Sequence, residues 1–276
     1  MRFLSGRGVR LEYTFLDDET PLDVPAVSVT VRDSAGETVY TGSAAQSGDA
    51  WGVTLPPLPL GTYAVEWKGG DVATDRSMFE VVGAFLFTVP EARASDVDLA
   101  DSGRFPAADV RHYREVVERE FETITGRSFV PRVRRVTVTG DGSSSIFTGL
   151  LDVIGLVDVT GPSGSLDASG WTITDAGFLQ APYELTEGVR YSLAVEYGLP
   201  AGLEDVKRAG LIRLRSLLTA ENSGIPDRAI SFVAAEGGNF SLATAGRNGY
   251  ETGIPDVDAT LTRYRYRILN DVLGVA

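Results

Sequence analysis

A period-two alternation of apolar and polar residues dominates the first third of the chain. Apolar side chains recur at every second position in residues 9–15, 27–31 and 63–67. Successive side chains of a strand point to opposite faces, so this period predicts β-strands with one buried face. Turn-forming stretches such as "DDETP" and "KGGD" separate the alternating runs. Their spacing predicts a small antiparallel sandwich over residues 1–83.

The stretch "LPPLPLGTYAVEW", residues 55–67, refines this prediction. Prolines lead to a glycine suited to a turn, and a tyrosine then opens a strand. This pattern resembles bacterial immunoglobulin-like domains. The resemblance implies that residues 1–83 form one such module.

A helical period begins after Pro106, a residue suited to the first turn of a helix. Apolar residues follow at steps of three and four, which predicts a helix over residues 106–125 with one apolar stripe, ended by Gly126. The stripe comprises Val110, Tyr113, Val117, Phe121 and Ile124. The opposite face carries the charged residues Arg111, Arg114, Glu115, Glu118, Arg119 and Glu122. We expect that charged face to be solvated.

The rest of the chain mixes both periods. The pattern of residues 130–199 is that of strands. A helical period over residues 203–221 predicts a helix with a small notch at Ala209 and Gly210, where another helix could approach. A last helix is predicted over residues 255–272. Residues 228–252 are consistent with either a hairpin or a long loop. The predicted class is α+β: an all-β immunoglobulin-like sandwich at 1–83, then a helical connector domain at 84–276 with a β-rich insertion at 130–199.

Charge and cysteine content exclude several functions. The chain has 25 basic and 38 acidic residues, a net charge of −13, so tight binding of a phosphate backbone by a basic face is not expected. It has no cysteine, which excludes a disulfide framework, a thiolate nucleophile and cysteine-ligated zinc. The first 13 residues lack the apolar run of a signal peptide, and no run of about 18 apolar residues occurs, so neither that export route nor a membrane span is expected.

The residues of common catalytic sites are also scarce. The single histidine, His112, lies on the charged flank of the first predicted helix, which suits a solvated residue better than a general base. Asp96, Asp98 and Asp101 resemble the start of a calcium loop but lack the glycine and distal glutamate that would complete it. Neither a P-loop nor a dinucleotide-binding glycine motif is present. We expect a structural or binding role, no enzyme activity and no cofactor.

Several phrases in order carry a more specific resemblance. They are "VVEREFETITGRSFVPR", a β-rich stretch ending "VEYGLP", "DVKRAGLIRLRSLL", "DRAISFVAAEGGNFSLATAG" and "TGIPDVDATLTRYR". This ordered set, over residues 85 to about 270, resembles the head-to-tail adaptor (connector) family of long-tailed bacteriophages, in particular those of actinobacterial hosts.

The resemblance implies an assembly role in the neck of a virion, put together in the host cytoplasm. Family members form a ring of twelve identical subunits beneath the portal protein and join it to the next neck protein, the head-tail stopper. Genomic DNA passes through the ring without specific binding. The N-terminal module is an addition to the adaptor pattern, and its candidate partners include the major capsid protein.

The first candidate interface is "GRSFVPR", residues 126–132. A residue before proline is held extended, so the chain leaves the helix stiffly. Phe129 beside Pro131, flanked by Arg127 and Arg132, has the composition of an interface core, and an acidic neighbour could pair with the arginines. The alternative is that Phe129 closes the helix against its own domain while the arginines are solvated.

The second candidate interface is the last predicted helix. Its alternating basic and aromatic residues fan around the helix and cannot all face one core. They are Arg263, Tyr264, Arg265, Tyr266 and Arg267. The resemblance implies that residues 255–270 engage the portal. An ordinary terminal helix, with Tyr264 packed inward and arginines favoured by the helix dipole, remains the alternative.

A rival function is a carbohydrate-binding or adhesion protein of a phage tail or cell surface. It would need Trp51, Trp67 or Trp171 exposed for stacking on sugars. All three lie in strand-like runs, where burial is the default.

Overall fold

A computed structural model describes residues 1–174, 178–199, 202–219, 229–233, 239–242 and 251–265. The chain divides into two compact units, each built from two segments. The β unit comprises Met1–Ala84 and Pro131–Gly198, and the helical unit comprises Phe85–Val130 and Leu199–Ala276. The predicted division was 1–83 and 84–276. The β-rich insertion instead groups with the N-terminal strands, and the first boundary falls after residue 84.

The first part of the β unit contains ten strands. They are β1 (Arg2–Leu4), β2 (Val9–Tyr13), β3 (Leu16–Asp17), β4 (Thr20–Pro21), β5 (Ser28–Arg32), β6 (Thr38–Ser43), β7 (Ala45–Ser47), β8 (Ala50–Leu55), β9 (Gly61–Gly69) and β10 (Ala73–Val82). A five-stranded sheet has the order β1-β10-β9-β5-β6, and a three-stranded sheet has the order β2-β8-β7. All these pairs are antiparallel except β1 with β10.

The two sheets share one hydrophobic core. In β9 the buried positions alternate, and Tyr63, Val65 and Trp67 face residues of β2 and β8 such as Leu11 and Val53. The period-two pattern therefore identified the buried face of these strands. The immunoglobulin-like character of this sandwich stays a prediction.

The second part of the β unit contains seven strands with a separate core. They are β11 (Arg132–Thr139), β12 (Ser145–Phe147), β13 (Val153–Gly161), β14 (Gly164–Leu166), β15 (Thr172–Ile173), β16 (Phe178–Gln180) and β17 (Arg190–Tyr197). They form sheets of order β11-β17-β13-β14 and β12-β16-β15. Leu179, Leu193 and Val159 are fully buried in the core of this part.

Gly140, directly after β11, packs against the backbone of residues 185–189 and forms hydrogen bonds with the same segment. Its N–H donates to Val189 O over 2.8 Å, and Gly188 N–H donates to its carbonyl over 2.9 Å. A Cβ at this position would overlap Thr186 O and lie 3.0 Å from Leu185 O. Backbone atoms held by hydrogen bonds cannot withdraw as a flexible side chain can, so only glycine fits.

Gly140→Ala is therefore expected to destabilise the β unit by about 1–3 kcal/mol. Urea denaturation followed by tryptophan fluorescence reports this unit, because Trp51, Trp67 and Trp171 all belong to it. Gly52→Ala is the control, since the nearest atom to its added Cβ is 3.8 Å away. Equal midpoints for the two variants would contradict the steric account.

The described helices belong to the helical unit. They are α1 (Val89–Ser95), a 3-10 turn (Asp98–Ala100), α2 (Ala107–Thr125), α3 (Glu204–Thr219) and α4 (Pro255–Tyr264). Phe121, Leu214 and Leu261, one from each of α2, α3 and α4, are buried in a shared core. Helix α4 ends earlier than the predicted span 255–272, because Arg265 leaves the helical conformation, and residues 266–272 lie outside the described residues. The strand pair β18 (Ala229–Val233) and β19 (Asn239–Leu242) is antiparallel, as the hairpin alternative predicted.

Local signals explain the helix ends. Thr88 and Glu91 form a reciprocal capping box before α1: the Glu91 N–H donates to Thr88 Oγ1, and the Thr88 N–H donates to Glu91 Oε2. Gly126 ends α2 in the left-handed conformation, with φ of 73°. The Thr88 N–H, the Lys207 ammonium and the Thr88 hydroxyl donate to the Glu91 carboxylate and lower its pKa to about 2.

The notch at Gly210 does not receive a helix. A Cβ there would lie 2.7 Å from Leu86 Cδ2 and 3.2 Å from Phe87 Cε1, so the small residue admits side chains of the segment preceding α1. The neighbour at Gly210 is therefore the buried segment 86–87, whereas the expected packing of α3 against α2 is present elsewhere in the same core.

Candidate assembly interface

The segment 126–132 passes from the helical unit to the β unit between Val130 and Pro131. Its polar groups are used locally. Arg127 N–H donates to Thr125 Oγ1 over 3.2 Å, and Ser128 Oγ donates to Val130 O over 2.7 Å. Leu199 N–H donates to Ser128 O over 2.8 Å. Arg127 itself is half-buried. Much of this segment thus serves the internal structure.

Phe129 lies in the core of the helical unit with 5% of its surface exposed. Its ring meets Phe121 and Tyr264 edge-on, with centroids 6.4 and 5.6 Å apart. Of the two roles predicted for Phe129, the structure places it in the one that closes the helix against its own domain. It is not an exposed anchor in this chain.

Pro131 and Arg132 join the two parts of the β unit. Gly83 N–H donates to Pro131 O over 2.8 Å, and a Cβ at Gly83 would lie 2.9 Å from Pro131 Cβ. The guanidinium of Arg132 binds both carboxylate oxygens of Glu80 on β10, over 2.5 and 3.0 Å. Arg2 binds the same carboxylate over 3.1 Å. Glu80 thereby ties β1 and β10 to β11, so the predicted interface arginine at position 132 is a half-buried structural residue.

The end of α4 is fastened to the start of α3. Tyr264 donates to the Asp205 carboxylate, with oxygen distances of 2.9 and 3.1 Å, and Arg263 pairs with the same carboxylate at 3.2 Å. Burial, followed by the bond to Asp205, raises the pKa of Tyr264. Arg265 pairs with Glu251 at 2.9 Å. Tyr264 thus packs inward, whereas the side chains of Arg263 and Arg265 stay 63% and 51% exposed and can meet a partner.

Two further predicted interface residues, Tyr266 and Arg267, lie outside the described residues. The structure therefore brings Phe129 and Tyr264 together in one core and places Arg132 in the β unit. Arg127 contributes a backbone bond to the capped end of α2.

A buried ion pair on α2 escaped the sequence prediction. Arg114 and Glu118, both expected on a solvated face, are each 3% exposed. Their Nε–Oε1 distance is 4.0 Å. Glu118 accepts the Leu86 N–H over 2.9 Å, and Arg114 donates to Phe87 O over 3.3 Å. The Arg114 guanidinium also lies 3.4 Å from the centroid of the Phe85 ring. The pair holds residues 85–87 on α2.

The acidic stretch "DVDLAD" is used in turns and an ion pair. Asp96 accepts the Asp98 N–H over 2.8 Å and pairs with Arg215 at 2.8 Å, and Asp101 accepts the N–H groups of Gly103 and Arg104. Within the described ranges, no group of three or more histidine, cysteine or acidic side chains converges on a point that could hold a metal.

The tryptophans required by the carbohydrate-binding alternative are buried. Trp51, Trp67 and Trp171 expose 7%, 1% and 8% of their surface. Their burial was expected from the strand-like runs, and it leaves no ring face free to stack on a sugar, as the carbohydrate-binding alternative would require. Among the helices that the structure describes, none is long and apolar enough to cross a membrane.

The structure thus defines an α+β protein of two units, in agreement with the predicted class. No protein-family model matches the chain, and no curated protein matches it. Among solved structures, a chain from the neck of an empty gene transfer agent particle aligns over 59% of this chain and 81% of its own, with 16% identity and a TM-score of 0.37.

Two alpha-2-macroglobulins, from Escherichia coli and Salmonella, each align over 70% of this chain, with 10% and 13% identity and TM-scores of 0.28 and 0.27. The chain spans only 12% of the length of either. At TM-scores this low, none of the three likenesses defines a fold family or a function.

Proposed function

We propose that the chain is a structural protein of a phage-like neck, a head-to-tail adaptor. In this role it forms a ring of identical subunits between the portal and the next neck protein, and the ring lines the channel through which DNA passes. The role needs no covalent chemistry and no cofactor. It places the protein in the virion after assembly in the host cytoplasm.

The observation that carries this proposal is the order of elements in which the adaptor-like phrases fall. Helix α2 ends directly before "GRSFVPR", β11–β17 follow, and "DVKRAGLIRLRSLL" lies in α3. Strands β18 and β19 lie within "DRAISFVAAEGGNFSLATAG", and α4 lies within "TGIPDVDATLTRYR". The gene transfer agent chain that aligns with this one also comes from a neck, but at its TM-score that similarity adds no support to the proposal.

Charge is compatible with a DNA conduit. At a net charge of −13 the chain repels a phosphate backbone, so DNA would pass without being held. The partners within the proposal are the portal, the head-tail stopper and, through residues 1–83, the major capsid protein. The exposed side chains of Arg263 and Arg265 are the proposed portal contacts among the described residues.

The test of the ring is to mix the full chain with the purified portal of its particle and image the product by electron microscopy. We expect a closed ring stacked on the portal. Solitary molecules in sedimentation experiments, with portal present and at high protein concentration, would contradict the proposal.

Portal docking needs a separate variant. Deleting residues 255–276 is unsuitable, because Val257 and Leu261 of α4 are core residues with 0% and 1% exposure, and the helical unit would lose its packing. Replacing Arg263 and Arg265 by glutamine removes two exposed charges without placing a like charge beside Asp205 or Glu251, so the packing of the helix is kept. We expect rings that form but no longer bind the portal, and normal docking would show that this helix end is not the contact.

A further inference from the structure

Two strand edges of the β unit lack the features that normally keep edges from pairing with other chains. Among the described residues, no strand pairs with the outer side of β6. The part of β13 from Val153 to Asp158 pairs with β17 on one side, while β14 covers only Val159–Gly161 on the other. An open edge offers unpaired backbone N–H and C=O groups to any extended chain.

Both edges contain bulges that turn aliphatic side chains towards solvent. The pairing of β6 with β5 skips Val39, and the pairing of β13 with β17 skips Ile154 and Val157. These three bulge residues are 38%, 47% and 56% exposed. A bulge bends its strand and re-aims a side chain, so such an edge accepts only a partner that matches its curvature.

The edges are almost free of charge in a chain where 23% of residues are charged. The sequence of β6, "TVYTGS", has no charged residue. That of β13, "VIGLVDVTG", has only Asp158, which pairs with Arg135 at 2.9 Å. Depletion of charge around exposed aliphatic side chains is the composition of an interface core.

Strand β11 provides the contrast within the same unit. It is also an edge strand, and its register with β17 runs from Arg132 to Thr139 without a bulge. It carries the exposed Arg134, a charge of the kind that protects an edge, and its Arg132 binds Glu80 of β10. Of the three edges compared, the edge of β11 is therefore protected, whereas the edges of β6 and β13 are open.

We propose that neighbouring copies of this chain join head to tail by strand pairing, with the bulged edge of β13 on one copy against the bulged edge of β6 on the next. This contact rests on the proposed function, since it is one that would close a ring of identical subunits.

Three arguments favour a second copy over another occupant. An extended backbone is the ligand that an open edge recognises, which selects a protein strand over a sugar or a nucleic acid. Copies that each carry a net charge of −13 repel one another, so a contact is favoured where acid is scarce: β6 has none, and the one acid of β13, Asp158, is paired with Arg135. A head-to-tail contact also needs two different complementary surfaces on one chain, and β6 and β13 supply them.

The lack of native cysteine allows a direct test by crosslinking. The full-length double variant Val39→Cys/Val157→Cys is treated with a short bismaleimide, alone and with the purified portal. We expect a ladder of covalent multimers, because each copy then carries both halves of the contact. Each single-cysteine variant should give no covalent multimers, because position 39 of one copy would face position 157 of the next copy and not a second position 39.

The matched control moves one cysteine to the protected edge. Val39→Cys/Arg134→Cys should give no ladder, although residue 134 is also exposed. Dimers from either single variant would show a two-fold symmetric contact and overturn the head-to-tail pairing. The head-to-tail pairing would also be overturned if the Val39→Cys/Val157→Cys variant gave no ladder. It would likewise be overturned if residue 157 crosslinked only to the portal.

A second variant separates this inference from the ring itself. Val157→Lys places a charge in the contact while leaving the fold, since the side chain is already 56% exposed. The protein concentration at which half of the chains are assembled should be at least about tenfold higher for Val157→Lys than for the wild type. Normal rings of Val157→Lys would overturn the edge contact and keep the neck ring, whereas a wild type that never assembles would overturn both.

Discussion

Replacing Phe129 by alanine is expected to lower the free energy of unfolding of the helical unit by about 3–5 kcal/mol. The ring is 5% exposed and packs edge-on against Phe121 and Tyr264, so its removal leaves a cavity bounded by α2 and α4. Residues from two helices line that cavity, and their backbones cannot both move in to fill it. The loss should therefore lie well above that of an exposed substitution.

Circular dichroism at the helical band measures this change, because the described α-helices belong to the helical unit. The tryptophan fluorescence transition of the β unit should change much less. Val97→Ala is the control in the same unit, since Val97 is 90% exposed and its truncation should cost little. A Phe129→Ala protein of normal stability that fails to assemble would instead show that Phe129 is an interface anchor.

The second large effect is expected at the buried ion pair of α2. Arg114→Ala should destabilise the helical unit by about 3–5 kcal/mol, because it leaves the Glu118 carboxylate buried without its cation. It also removes the donor to Phe87 O and the cation over the Phe85 ring. The segment that leads into α1 would lose much of its attachment to α2.

Arg111→Ala is the control for this prediction, as Arg111 lies one turn earlier on the same helix and is exposed. Its effect should stay within about 0.5 kcal/mol. The double variant Arg114→Met/Glu118→Gln removes both charges and keeps an acceptor for the Leu86 N–H, and it should recover part of the stability. Equal stability of Arg114→Ala and Arg111→Ala in urea denaturation would refute the buried-pair interpretation.

These two sites show why a helix of known span can still be assigned the wrong environment. The period of Val110, Val117 and Phe121 identified the span and buried stripe of α2, and Gly126 identified its end. The same period placed Arg114 and Glu118 on a solvated face. Their burial depends on residues 85–87, which lie about 30 positions earlier and have no periodic relation to α2.

The candidate interface gives a similar result, because the sequence marked the segment and only the structure showed its environment. The composition of "GRSFVPR" marked it as unusual for a helix exit. Its residues turned out to fill a core, as Phe129 does, or to join strands, as Arg132 does with Glu80. Composition alone does not distinguish an aromatic and arginine cluster inside one chain from one between chains, because both environments exclude water from the same groups.

The open edges of β6 and β13 could not be located from the sequence. The scarcity of charge in residues 142–166, where only Asp152 and Asp158 are charged, is visible there and was the available sign. Which strand lies at the edge of a sheet depends on strand order. That order is set by pairings such as β13 with β17 across about 40 residues.

The sequence by itself determined the α+β class, the strands β2, β5 and β9 and the approximate spans of α2 and α3, because these follow from local period and helix-ending residues. Only the tertiary structure decided that residues 131–198 join the N-terminal strands in one unit, that Arg114 and Glu118 are buried, and which strand edges are open. Such features depend on contacts between distant segments, and the side-chain period along one segment carries no information about which other segment will cover it.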